Sequence, residues 1–255
     1  MSGHSKWSKI KRKKGATDAA RSKTFSRVIK EINIAARDGG SDPESNARLS
    51  LAIDNAKAVN MPKDNIERAI KKGTGELDGG GAAYEEVSYE GYGPGGIAYF
   101  VECTTDNQKR TVSDVRHAFS KRGGNLGTTG SVGFMFDHKG IITIPSGKVD
   151  SEALMLDAIE AGAEDIKEEG DVLEVVTVRE DLFAVKKTLE AAGYEIESAN
   201  LQRIPTTLTK VDADTAISNF KLIELLEEND DVNDVFTNLE VDEEVMEIVE
   251  KTMGN

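Results

Sequence analysis

The 255-residue sequence carries 32 basic and 46 acidic side chains, which gives a formal net charge of −14 at neutral pH. Its apolar runs are short, and none approaches the roughly 20 residues that a membrane-spanning helix requires. The basic N-terminus lacks the apolar stretch of a secretory signal, and the single cysteine, Cys103, excludes an internal disulfide. We therefore expect a cytoplasmic globular protein with up to three small domains and no membrane contact.

The charge is divided unevenly along the chain. Residues 1–72 hold 17 basic and 8 acidic side chains, a net of +9, whereas residues 73–255 hold 15 and 38, a net of −23. A basic head on an acidic body is typical of proteins that contact a polyanion at one end. The simpler alternative for such a run is a solvated, flexible tail.

The basic head has the residue types that bind a phosphate backbone. The basic residues are densest at 6–14, a segment that we call the basic arm. Trp7 lies inside this arm, where it could stack on a base or anchor the arm on the next domain. His4 has no neighbouring partner for metal binding or catalysis, so a phosphate or backbone contact is the better interpretation. The predicted nucleic-acid-binding residues are His4, Lys6, Trp7, Lys9, Lys11, Arg12, Lys13, Lys14, Arg21, Lys23, Arg27, Lys71 and Lys72.

Apolar periodicity predicts three helices behind the arm. Residues 17–37 carry one apolar stripe, and Arg21, Lys23, Arg27 and Lys30 lie largely off it. A second helix is predicted to start at residues 41–44, and a short third one ends at Lys71 and Lys72. Those two lysines also complement the helix dipole, which is their ordinary explanation. None of the connecting segments singles out a DNA-recognition helix.

The acidic body begins after a glycine-rich linker at residues 74–81. Alternating and apolar runs predict strands at 84–92, 97–105 and 130–136 and a helix at 108–122. Residues 141–203 then follow the order strand, helix, strand, strand, helix, strand of a ferredoxin-like split βαβ unit. A final helix at 213–228 and a strand at 232–238 would complete the earlier α/β pattern.

These elements predict an α+β fold, in which an N-terminal three-helix bundle with a basic arm precedes two α/β (ferredoxin-like) domains, the third inserted into the second. The predicted domains are a helical domain in 1–79, a discontinuous α/β domain in 80–136 and 206–255, and an inserted βαββαβ domain in 137–205. The alternative is three domains in plain succession.

A glycine-rich loop matches G-x-G-x-x-G, but a strand follows it where dinucleotide binding needs a helix. So many glycines indicate either close approach of a partner backbone or a turn with positive φ at several positions. We predict a second site that contacts RNA or a partner protein, formed by Tyr92, Gly93, Pro94, Gly95 and Gly96.

Sequence patterns typical of catalysis are missing. The three histidines and Cys103 are scattered without metal-ligand spacing, and no nucleophile elbow, HExxH motif or P-loop occurs. We therefore expect no enzyme activity, no cofactor, no metal and no small-molecule substrate.

Several long strings resemble the YebC/PmpR family. They are Gly-His-Ser-Lys-Trp at 3–7, Ala-Ala-Arg-Asp-Gly-Gly at 35–40, the fourteen residues 60–73, Tyr-Glu-Gly-Tyr-Gly-Pro-Gly-Gly at 89–96, the ten residues 110–119, Gly-Gly-Asn-Leu-Gly at 123–127 and the eight residues 158–165. The resemblance implies a helical first domain followed by two α/β domains, the third inserted in the second. Phe134 stands where relatives often carry tryptophan, and we expect it to fill a core.

The family contains probable transcriptional regulators and a mitochondrial translational activator, so the resemblance implies two functions. In the first, the protein regulates transcription and binds DNA through its basic N-terminal domain. In the second, it binds ribosomal RNA on the ribosome and assists elongation at difficult sequences such as proline runs. The basic arm suits both, and the sequence leaves the choice open. A third alternative is a structural interaction protein whose acidic body docks on a basic partner.

Overall fold

A computed structural model describes residues 18–77 and 84–253. The helices are α1 Asp18–Gly39, α2 Ala47–Ala58, α3 Lys63–Gly73, α4 Gln108–Lys121, α5 Ser151–Ala161, α6 Leu182–Ala191, α7 Ala213–Glu227 and α8 Glu243–Met253. The strands are β1 Glu85–Tyr92, β2 Ala98–Thr105, β3 Asn125–Leu126, β4 Phe136–Pro145, β5 Asp165–Glu169, β6 Val172–Val178, β7 Ser198–Pro205, β8 Thr209–Lys210, β9 Val232–Thr237 and β10 Leu239–Glu240. The fold is therefore the predicted mixture of N-terminal helices and two antiparallel sheet regions.

The described residues form two compact units. Residues 18–27, 84–137 and 205–253 belong to the first, and residues 28–77 and 138–204 belong to the second. The chain thus leaves the first unit after residue 137 and returns to it at residue 205. The helical residues 28–77 cluster with residues 138–204.

The first unit is built on an antiparallel sheet with the strand order β3-β1-β2-β9. One face is covered by α4, α7 and α8, whose core includes the fully buried Tyr99, Phe119 and Phe220. The rings of Tyr99 and Phe119 meet edge to face, with centroids 5.4 Å apart. The other face carries a smaller apolar cluster that includes Phe100 and Phe136.

The second unit contains an antiparallel sheet ordered β5-β6-β4-β7, the strand order of a split βαβ unit. Its core joins inward residues of the sheet to α5 and α6. Helix α2 is attached to this unit by Asp54, which accepts a hydrogen bond from the buried Lys186 at 2.8 Å. Glu190 accepts a second one from Lys186 at 2.8 Å, so the buried ammonium faces two carboxylates.

The start of α2 differs from the prediction. Asn46 is its N-cap, and the side chain of Asn46 accepts a hydrogen bond from the amide of Leu49. The predicted start at residues 41–44 is wrong because Asp42 uses its carboxylate and carbonyl to close a preceding turn with Glu44 and Ser45.

The predicted strand at 130–136 is also wrong. This segment is a loop followed by a 3-10 turn at Gly133–Met135, and β4 begins only at Phe136. The amides of Gly130, Val132 and Gly133 donate to the carboxylate of Glu90. They are consequently not available for a strand ladder.

Candidate nucleic-acid interface

Most of the predicted nucleic-acid-binding residues lie outside the described residues. This holds for His4, Lys6, Trp7, Lys9, Lys11, Arg12, Lys13 and Lys14. Arg21 lies within α1, but its side chain is outside what the structure describes. For these positions nucleic-acid binding remains a prediction.

Lys23 and Arg27 attach α1 to the first unit. The Lys23 ammonium donates to the backbone carbonyl of Asn229 at 2.7 Å. The Arg27 guanidinium pairs with the Asp234 carboxylate at 2.5 Å, with 41% of the Arg27 side chain exposed. Through these bonds both side chains position α1, the helix that follows the basic arm. A phosphate that binds either cation would compete with its protein partner.

Other cations of the helical segment are placed differently. Lys30, expected off the apolar stripe, is buried at 9% exposure, which the prediction missed. Lys71 and Lys72 lie exposed in the last turn of α3 in the second unit, where they complement the helix dipole. Beyond them, Gly73 lies so close to α1 that a Cβ would stand 2.4 Å from the Asn33 carbonyl oxygen.

The segment 91–96 consists of the last two residues of β1, then Gly93, then a 3-10 turn at Pro94–Gly96 that packs on α7. Gly95 and Gly96 both have φ of 73°, a left-handed conformation that glycine adopts without strain. A Cβ on Gly93 would stand 2.5 Å from the Tyr99 ring. The carbonyl of Pro94 accepts a hydrogen bond from the Asn219 amide group at 3.0 Å. The glycines therefore have an internal explanation, and contact of this loop with a partner stays a prediction.

A second glycine-rich segment, residues 123–133, packs against the first. Gly127 donates its amide to the Glu90 carbonyl at 2.8 Å, and the Tyr92 hydroxyl donates to the Ser131 carbonyl at 3.0 Å. Glu90 is buried at 5% exposure. Its carboxylate receives the amides of Gly130, Val132 and Gly133, each at 2.7 Å. A carboxylate buried inside the unit thus organises a surface turn.

Phe134 follows that turn and lies outside the core, with 77% of its surface exposed. The expectation that it fills a core is wrong. Both of its apolar neighbours in the turn point inward: Val132 is fully buried and Phe136 is 6% exposed. The 3-10 conformation between them directs the Phe134 ring to solvent. Sequence reasoning missed this residue, because an aromatic between apolar neighbours is normally read as core.

A polar network closes the N-terminal end of α4. Asp231, 6% exposed, accepts hydrogen bonds from the hydroxyls of Thr105 and Thr111 and from Arg110. The hydrogen bonds of Arg110 to Asp231 and to Asp106 raise the pKa of the Arg110 guanidinium. Each of these side chains has a hydrogen-bond partner within the network, and we therefore assign the network a structural role.

His138 and Lys186 are among the side chains of the second unit whose pKa values are shifted. Burial lowers the pKa of the His138 imidazole to about 4, with further lowering by Arg203 and Arg179. Burial alone would lower the pKa of Lys186, but its hydrogen bonds to the Asp54 and Glu190 carboxylates outweigh burial and raise it.

Within residues 18–77 and 84–253, no group of three or more His, Cys, Asp or Glu side chains is arranged to hold a metal ion. Over the same ranges, no helix is long and apolar enough to cross a bilayer.

Comparison with known proteins identifies the family. Residues 5–76 match the description "TACO1/YebC protein N-terminal domain", and residues 84–239 match "TACO1/YebC second and third domain". The chain belongs to the TACO1/YebC family. The resemblance seen in the sequence is thereby confirmed over nearly its whole length.

Curated relatives of the family share about half of their residues with this chain. A "probable transcriptional regulatory protein" of Persephonella marina is 53% identical over 251 residues, which covers 98% of this chain and all of the relative. Proteins of the same description from Desulforapulum autotrophicum and Geobacter sulfurreducens are 54% and 53% identical, over 96% and 97% of this chain and 98% and 99% of their own.

A solved structure has the same fold. The crystal structure of a conserved hypothetical protein from Aquifex aeolicus superposes with a TM-score of 0.82 at 50% identity. It covers 89% of this chain and 93% of its own.

Proposed function

We propose that this chain is a non-enzymatic regulator of gene expression that binds nucleic acid through its basic N-terminal head. The observation that carries the proposal is the division of charge, +9 on residues 1–72 against −23 on residues 73–255. A polyanion is repelled by most of the body and attracted to the head. The names of the relatives, probable transcriptional regulatory proteins, support a regulatory role.

The proposed contacts are electrostatic. Each phosphate that meets a lysine or arginine releases condensed counterions, so affinity falls steeply with salt. Lys11, Arg12, Lys13 and Lys14 form the densest part of the head. Because phosphate contacts position a protein without reading sequence, their loss should weaken binding to all sequences about equally.

The test uses the full chain and compares two variants of equal charge change. One replaces Lys11, Arg12, Lys13 and Lys14 by alanine, and the control replaces the exposed body residues Lys109, Lys167, Lys210 and Lys251 by alanine. If about five phosphates are neutralised, log K falls with log salt at a slope near −4.5 on duplex DNA or −3.5 on single strands. The head variant should lose most of this slope and the control should keep it.

Duplex DNA and RNA of the same sequence separate the two proposed roles. Tighter binding to DNA favours transcription regulation. Tighter binding to RNA, together with co-sedimentation with ribosomes at physiological salt, favours the alternative of a translation factor. An affinity independent of salt, or an equal loss in both variants, would refute binding through the head.

A further inference from the structure

The turn at 130–134 holds an exposed aromatic ring on a rigid support. Single exposed apolar residues are ordinary on protein surfaces, so the 77% exposure of Phe134 alone says little. What sets this ring apart is its anchoring. Three backbone amides immediately before it are held by one buried carboxylate, Glu90, at 2.7 Å each.

The hydrogen bonds to Glu90 fix the backbone of the turn, so the turn does not rearrange to bury the Phe134 ring. Val132 on one side and Phe136 on the other are fixed in the apolar cluster, and the Met135 amide donates to the Val132 carbonyl at 2.8 Å. Because these contacts fix the neighbouring residues, the turn holds the Phe134 ring outside the core. Because the backbone of the turn is already ordered, only the Phe134 side chain loses conformational freedom when a ligand covers it.

The charge of the sequence segment that contains this turn indicates the kind of ligand. Residues 115–136 form the longest stretch without an aspartate or glutamate in the chain, although the chain as a whole carries −14. The stretch contains Arg116, Lys121 and Arg122. Its exposed residues also include Thr128 and Thr129, whose hydroxyls can donate hydrogen bonds. A polyanion therefore meets no acidic residue of this segment.

We propose that Phe134 and the segment 121–134 form a second contact for single-stranded nucleic acid, in which the Phe134 ring stacks on a base. Stacking suits a protein without a recognition helix, because every base has a π face and the contact tolerates any sequence. A duplex keeps its bases stacked on one another, so the contact selects single strands. This inference rests on the proposed function, since the head supplies the electrostatic part of the affinity.

The test measures binding of the full chain to a fluorescein-labelled single-stranded RNA and to its duplex. Phe134→Ala should weaken single-strand binding about 5- to 100-fold, as expected for loss of one stacked base. It should change duplex binding little and leave the salt slope unaltered, since no phosphate contact is removed. Phe134→Trp keeps an aromatic face and should retain the affinity.

A matched control is Leu156→Ala, which shortens another exposed apolar side chain, 66% exposed on α5. It should bind both RNAs like the wild type. Ultraviolet crosslinking with 4-thiouridine in the RNA gives an independent readout. The adduct is expected on the tryptic peptide of residues 123–139.

The outcomes separate the two proposals. If the wild type binds RNA and Phe134→Ala binds it equally well, the second contact is refuted and the head proposal stands. If Phe134→Ala keeps its RNA affinity but loses a protein partner, the ring belongs to a protein interface and the inference is again refuted. If the wild type binds neither DNA nor RNA, the proposed function itself fails.

Discussion

Replacement of Glu90 by glutamine tests the support of the exposed turn without touching its surface. Oε1 of the carboxylate accepts a hydrogen bond from the Gly130 amide, and Oε2 accepts one each from the amides of Val132 and Gly133. An amide has one acceptor oxygen, so in its better orientation it keeps the latter two bonds and turns its NH₂ group toward the Gly130 amide.

The cost follows from counting these bonds. One partly buried donor loses its acceptor, at about 1–3 kcal/mol, and two charge-assisted bonds become neutral ones at about half their strength. We therefore expect Glu90→Gln to lower the free energy of unfolding of the first unit by about 2–4 kcal/mol. Hydrogen exchange at the amides of residues 130–133 should accelerate, because the turn opens more often.

The matched control is Glu85→Gln, an exposed glutamate on the same strand β1. Its carboxylate accepts a hydrogen bond from Gln108, which an amide oxygen can still accept. We expect a change within about 0.5 kcal/mol. Urea denaturation, followed together with exchange of the peptide covering residues 127–135, measures both variants. If Glu90→Gln matches the wild type in midpoint and exchange, the carboxylate does not hold the turn.

Two further predictions concern the second unit. The pKa of His138 is lowered to about 4 from its usual 6.5, so between these pH values the unfolded chain binds a proton that the folded chain does not. Stability should therefore fall as pH drops from 6.5 toward 4, and His138→Gln should fall less steeply in urea midpoints measured at several pH values. Lys186→Met removes a buried ammonium and leaves two half-exposed carboxylates that water can solvate, so we expect a cost below about 1.5 kcal/mol. The double variant Asp54→Ala with Glu190→Ala leaves the ammonium buried and unpaired, and should cost about 2–3 kcal/mol more than Lys186→Met; the reverse order in urea denaturation would contradict this account.

Short-range signals were sufficient for much of the fold. The order strand, helix, strand, strand, helix, strand predicted for residues 141–203 is observed as β4, α5, β5, β6, α6 and β7, because each of these elements carries its apolar pattern within one short segment. The α4 and α7 helices and strands β1, β2 and β9 were predicted to within one residue at each end. The family strings, which are also local, were enough to identify the family.

The predictions that were wrong depend on tertiary contacts, which local sequence patterns do not show. The segment 130–136 has the composition of a strand, yet Glu90, about 40 residues earlier, takes the amides that a strand would need. Lys30 was predicted to lie largely off the apolar stripe of α1, but the packing of α1 buries it. Helix α8 was not predicted, although its hydrophobic residues Val249 and Met253 are buried in the first unit.

The sequence by itself determined the charge asymmetry, the helix and strand types and the family, because each is written in residues that are neighbours along the chain. Only the tertiary structure decided whether a side chain contacts the protein or faces the solvent. Lys23 and Arg27 gained protein partners from Asn229 and Asp234, over 200 residues away. Phe134 was left exposed because its neighbours Val132 and Phe136 occupied the core in its place. Burial is a property of the assembled core, and the pattern of apolar residues within a short segment does not specify which of them the core has room to accept.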